Sequence, residues 1–207
     1  MAILKIARMG HPLLKRTAEK IDDPAAPEIC ELIKNMIDTL EDTGGVGLAA
    51  PQVHISKRIV IFHIPKSRGI PTAEVFEPKE DIEKDNLEFI PKLSAESIPL
   101  TVLINPIIEA LDEETELGVE GCLSIPGMIG MVPRYKRIRY DAIGVDGNRI
   151  QCEASGFHAR VVQHECDHLD GILYPMRMKD LSTFGYTEEI GDNRPIFSDE
   201  VGVASND

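Results

Sequence analysis

The sequence predicts an α+β fold in a single compact domain spanning residues 1–207. Three observations carry that expectation. One stretch has the 3.6-residue periodicity of an amphipathic helix, several short runs are rich in β-branched residues, and a second helical stretch late in the chain carries QHECDH at 163–168. A chain of 207 residues with 43% hydrophobic content can bury one substantial core. No internal repeat or second composition marks another domain.

The first helix is expected in DDPAAPEICELIKNMIDTLEDTGG. Ile29, Leu32, Ile33, Met36, Ile37 and Leu40 recur at the spacing of one apolar face. Asp23 is placed to cap it, Pro24 suits its first turn, and Gly44 or Gly45 ends it. RIVIFHI at 58–64 and TVLINPII at 101–108 read as strands. Residues 135–145 and 149–154 read as extended segments joined by Asp146-Gly147, a hairpin signal. A second helix follows Ser155 and Gly156 and ends near Gly171. Between the first two strands, residues 66–100 are rich in Pro, Glu, Lys and Ser and read as a surface insertion. From about residue 180 an acidic, weakly patterned tail is expected.

Charge narrows the function classes. The formal net charge is -13, and residues 74–116 hold thirteen Asp or Glu against Lys79, Lys84 and Lys92. Phosphate neutralisation on DNA or RNA is disfavoured by that balance. Arg134, Lys136, Arg137 and Arg139 form a local basic patch that reads as the solvated face of a strand. No apolar run has the length of a membrane span or of a signal peptide, so a cytoplasmic location is expected. Cys30, Cys122, Cys152 and Cys166 are scattered, without the spacing of a disulfide framework.

The chemistry starts with His164 and His168. Four residues apart on a helix, they project from one face, and Glu165 stands between them in the H-E-x-x-H spacing of a metal site. Phe157, Val161, His164 and His168 lie at i, i+4, i+7 and i+11, so the histidines continue an apolar stripe. Inward-facing imidazoles need partners for their ring nitrogens, and a metal ion supplies one. A catalytic site takes three protein ligands and keeps one position open. Cys166, two residues after His164, points roughly away from it. The third ligand therefore lies among the cysteines elsewhere or the downstream carboxylates. Cys122, in VEGCLSIPG, is one candidate, because its thiolate is a strong ligand for zinc or ferrous iron. GGVGLAAPQ at 44–52 packs small residues that bring main chain close to a site, and it lacks the Lys-Ser/Thr of a phosphate-binding loop.

Together GVGLAAPQ, EGCLS and QHECDH, in that order, resemble the G-x-G-x-A-A-x-Q, E-G-C-L-S and Q-H-E-x-D-H motifs of the peptide deformylase family. GHPLL at 10–14 and HLDG at 168–171 add to the resemblance, which runs over about residues 5–178. It implies antiparallel or mixed sheets packed around a central metal-binding helix. Cys122, His164 and His168 would hold one divalent ion, Fe2+ in the cell, with Zn2+, Ni2+ or Co2+ possible in purified protein. The ion would lower the pKa of its water, Glu165 would act as general base and then general acid, and the Gln52 amide with the Leu123 N–H would stabilise the oxyanion. Val46, Gly47 and Gly121 would hold an extended peptide, with Phe157 and Val161 lining a methionine pocket. The implied reaction removes the formyl group from formyl-methionyl nascent chains and releases formate. Glu120 and Arg134 are further expected to pair and fix the Cys122 loop. The acidic tail offers no basic helix for ribosomal RNA, and GFHAR at 156–160 is closer to organellar members of the family than to many bacterial ones. Two rival readings stay open on the residues alone: a metallopeptidase, and a closed structural zinc site completed by Cys166 or Cys152.

Overall fold

The computed structural model describes residues 2–65 and 97–190. Nearly all of the expected 66–100 insertion, and the tail beyond residue 190, lie outside the described residues. Helix α1 (Pro27–Thr43) starts later than the sequence predicts. Asp23 does not cap it. Its carboxylate accepts from the Ala25 N–H at 3.0 Å and closes a turn ahead of the helix, while Ala26 precedes a proline at the first helical position. The exit is as expected, because Gly44 takes the left-handed conformation (φ 63°) that a side chain disfavours.

Strands β1 (Gly47–Ala49), β2 (Ile59–Ile64), β3 (Ile98–Ala110), β6 (Arg137–Ile143) and β7 (Arg149–Ser155) form one sheet in the order β1-β2-β3-β6-β7. Strands β4 (Thr115–Cys122), β5 (Ile125–Tyr135) and β8 (Gly185–Tyr186) form a second, in the order β4-β5-β8. Every pairing between these strands is antiparallel. Strand β3 begins at Ile98, so the end of the expected insertion is strand. It also carries a proline in its middle, which the ladder tolerates through a register shift between Ile104 and Ile107. Asn105, at φ 53°, sits in that shift, and its side chain bonds both the N–H and the C=O of Ile21. The β6–β7 connection is longer than a two-residue turn. Gly144 donates to the Asn148 carbonyl at 2.8 Å, with Gly147 at φ 77° between them.

The five-stranded sheet is covered on both faces, so β2 shows no polar–apolar alternation. Ile59 and Ile61 pack with Ile33, Met36 and Leu40 of α1. Val60, Phe62 and Ile64 face the other way and pack with Val161, Val162, Cys166 and Leu169. Those last four belong to α2 (Gly156–Leu169), whose residues from His158 to Leu169 are all buried. Each large apolar side chain sealed there contributes roughly 1.5–3 kcal/mol. Such a helix is the centre of a domain rather than its wall. Its remaining face meets the β4–β5–β8 sheet, and a short helix α3 (Thr187–Ile190) closes the described chain beside β5. Residues 180–190 are thus structured, with β8 paired to Met128 and Ile129, where an unpatterned tail was expected.

Candidate metal centre and active site

Two elements deliver the candidate metal set. Helix α2 presents His164 and His168, whose rings lie 5.1 Å apart. Strand β4 ends at Cys122, and a register shift between Gly121 and Cys122 turns the thiol toward the helix. Its Sγ lies 3.3 Å from His168 Nε2. One ligand atom from each of Cys122, His164 and His168 falls within 4.8 Å of the others. Of the cysteines that the sequence left in play, Cys122 is the one whose ligand atom lies within reach of both histidines. Cys166 sits in the core on the far side of α2, where burial pushes its thiol pKa up. Cys152 donates to the carbonyl of Glu153.

The surroundings fit an ion. His164 Nδ1 is held by Glu120 Oε2 at 2.8 Å, which leaves Nε2 free to face the cluster. His164 is also stacked at 6.1 Å on Tyr174, whose hydroxyl donates to the Met128 carbonyl. Burial disfavours a charged His164, but its contacts to Cys122 and Glu120 outweigh that and raise its pKa well above the usual value. His168 moves the other way, lowered by burial and by the neighbouring His164. A thiol and two imidazoles crowded into one buried space, with opposing proton affinities, are a donor set for a divalent cation.

Glu120 is the hub behind the candidate ligands. Arg134 grips it with two bonds, Nε to Oε1 at 2.8 Å and Nη2 to Oε2 at 2.9 Å, and Arg160 Nη1 reaches Oε1 at 2.9 Å. Arg134 also donates to Asp167, which Arg177 holds from outside. Burial alone would raise the Glu120 pKa. The bonds from Arg134 and His164 overcome it and bring the value down to about 2. The expected Glu120–Arg134 pair is present. The reading of Arg134 as part of a solvated strand face is corrected, because it is 5% exposed and fully engaged. Lys136, Arg137 and Arg139 do lie outside, in surface ion pairs.

Beside this set lies a cavity of about 590 Å³ lined by Val46, Gly47, Gln52, Gly121, Cys122, Leu123, Phe157, Val161, His164 and Glu165. Of the catalytic, substrate-binding and metal-binding residues expected from the sequence, all but His168 line it, and His168 is 1% exposed. Gln52, in a 3-10 turn (Ala50–Val53), accepts from the Ala49 N–H at 2.8 Å through Oε1. That bond sets the amide so that Nε2 points at Ser124 Oγ (3.2 Å) and Cys122 Sγ (3.4 Å). Glu165 Oε2 is buried and has no hydrogen-bond partner among the described residues. Burial pushes the Glu165 pKa up to about 7. Gly47 explains how it fits, since a Cβ there would come within 2.3 Å of Glu165 Oε1. The sequence reading missed Tyr174, Arg160, Ile125, Met128 and Ile129. Only Arg160 carried a signal, because it stands four residues before His164 on the ligand face.

The fold and site define a class: an α+β protein in which one cysteine and two histidines could hold a metal ion beside a buried carboxylate whose Oε2 has no hydrogen-bond partner among the described residues. The polypeptide deformylase family model matches residues 3–184. Peptide deformylase 1 of Nitrosomonas europaea is 44% identical over 197 residues, covering 95% of this chain and 99% of its own length. Peptide deformylase 1 of Bordetella pertussis is 45% identical, with 88% of this chain and 92% of its own covered. Among solved structures, peptide deformylase from Ehrlichia chaffeensis in complex with actinonin matches with TM-score 0.71 at 27% identity, covering 88% of this chain and 92% of its own. A Met-Ala-Ser-bound class I type b peptide deformylase from Acinetobacter baumannii matches with TM-score 0.69 at 32% identity, covering 86% and 99%. The chain belongs to the peptide deformylase family, which are hydrolases. That membership supports removal of the N-formyl group from nascent polypeptides.

Proposed function

We propose that this chain hydrolyses the formyl amide of formyl-methionyl peptides, with Cys122, His164 and His168 as ligands of one divalent ion, Fe2+ in the cell. The single observation that carries the reading is Glu165, a buried carboxylate with an oxygen free of protein partners, lining the same cavity as Cys122 and His164. An ion held by that set would supply Lewis acidity at the reacting end of the cavity.

Glu165 takes a proton from the attacking water as oxygen bonds to the formyl carbon. The Gln52 amide, fixed by Ala49, and the Leu123 N–H donate to the oxygen that becomes negative. Glu165 then passes its proton to the peptide nitrogen, the carbon–nitrogen bond breaks, and formate and a free amino terminus are released. A pKa near 7 suits a group that must both accept and give a proton at neutral pH. Val46, Gly47 and Gly121 offer main chain to an extended substrate, while Phe157 and Val161 face its methionine side chain. The Acinetobacter baumannii relative is described with Met-Ala-Ser bound, and a tripeptide with a free N-terminal methionine is what deformylation leaves.

We infer a cytoplasmic location from the four free cysteines, which suit a reducing compartment. Among the described residues no helix is long and apolar enough to cross a membrane. The test is formate release from a formyl-Met peptide by anaerobically prepared protein, alongside metal analysis. Formate with no internal peptide cleavage is expected. Peptide fragments would instead favour a metallopeptidase, and inactivity at full metal occupancy would favour a closed structural site.

A further inference from the structure

One charged side chain on the ligand face of α2 takes no part in the proposed chemistry. Arg160 precedes His164 by four residues, and its side chain is 11% exposed. From α2 its guanidinium reaches two strands, β4 and β5. Nη1 donates to Glu120 Oε1 (2.9 Å) and the Val132 carbonyl (2.8 Å), with a longer contact to the Gly118 carbonyl (3.4 Å). Nη2 donates to the Glu116 carbonyl at 2.7 Å. The space for this is made by Gly118. A Cβ there would lie 2.7 Å from Arg160 Cζ and Nη2 and 2.9 Å from Nε. Gly118 has an ordinary backbone conformation, so no turn requires a glycine at this position.

We propose that Arg160, seated on Gly118, is a positioning residue that sets the spacing between Cys122 on the β4 strand and the two histidines on the helix. The inference rests on the metal reading above. The ligands come from two elements, and Arg160 ties them by bonding strand carbonyls from the helix. It also shares Glu120 Oε1 with Arg134 Nε, while Oε2 meets both Arg134 Nη2 and His164 Nδ1, so the two arginines together fix the carboxylate against the histidine. Four acceptors in different directions suit a planar fork and not an ammonium, so lysine cannot replace it.

The experiment uses the full chain loaded with Co2+, whose visible absorption reports ligand geometry, and follows transfer of the ion to a chelator. Gly118→Ala is the informative variant because it crowds the guanidinium without deleting a charge. Among variants with the wild-type far-UV spectrum, Arg160→Ala, Arg160→Lys and Gly118→Ala should each shift the cobalt bands and release the ion at least about tenfold faster. Gly118→Ala combined with Arg160→Ala should release no faster than Arg160→Ala alone, since nothing remains to be displaced. Wild-type bands and release in Gly118→Ala, or effects that multiply in the double variant, overturn the proposal. If wild-type protein takes up no stoichiometric cobalt, the metal reading itself has failed.

Discussion

Removing the Glu120 carboxylate should damage folding and metal binding together, by amounts set by its partners. At about 1.4 kcal/mol per pH unit, the drop from 4.5 to about 2 corresponds to about 3 kcal/mol of folding free energy. The raised Arg134 pKa describes the same pairing and is not counted again. Glu120→Ala also leaves Arg134 and Arg160 short of an acceptor in a buried site, so a loss of about 3–5 kcal/mol is expected at pH 7. Because the folded state holds this carboxyl near 2 and the unfolded chain near 4.5, the stabilisation is complete above 4.5 and disappears as pH falls to about 2. The advantage of the wild type over Glu120→Gln should shrink across that window. Deprived of its acceptor, His164 is no longer held with Nε2 toward the cluster, and metal affinity should fall about 10–100-fold. Urea unfolding of metal-stripped protein at several pH values, with competitive metal titration, measures both effects. A stability loss in Glu120→Ala below about 1 kcal/mol, or a difference from Glu120→Gln that ignores pH, would refute the reasoning.

Three further outcomes are expected. Cys122→Ala should lose most of its metal and all activity, whereas Cys166→Ala and Cys152→Ala keep both; metal analysis of the three proteins checks this. Gly47→Ala should displace Glu165 and lower formate turnover by about 10²-fold or more, with metal content unchanged, and wild-type turnover would count against the packing argument. His158 is buried with its pKa lowered to about 4 by desolvation, so the unfolded chain protonates it first. Stability should fall by about 3 kcal/mol as pH drops from 6.5 to 4, and in His158→Phe that part of the pH dependence should vanish from urea titrations.

Much of the candidate site was legible in the sequence because the residues that gather there stand in short local motifs. The spacing of His164, Glu165 and His168 on a helix, the EGCLS turn and the small-residue segment before Gln52 each declare themselves within a few residues. The β4–β5 hairpin was not legible. Gly118, Gly121, Gly127, Gly130, Pro126 and Pro133 break its alternation, and two of its buried positions are Glu120 and Arg134. Charged residues read as surface until their partners are known, and beyond the expected Glu120–Arg134 pair the partners Arg160, His164 and Asp167 lie 33 to 44 positions away along the chain. Strand β1 is three residues long and exists only because β2 pairs with it. The start of α1 was misplaced because Asp23 capped a turn instead of the helix.

Glu165→Gln tests the central claim most directly. The substitution keeps size and hydrogen bonding but removes the proton acceptor at a cavity carboxylate whose Oε2 has no partner among the described residues. Metal content and affinity for a formyl-Met peptide should stay near wild type, while formate release falls by at least about 10²–10⁴-fold. Near-normal turnover in this variant would contradict the account, as would loss of the metal, which would make Glu165 a ligand rather than the group that moves the proton.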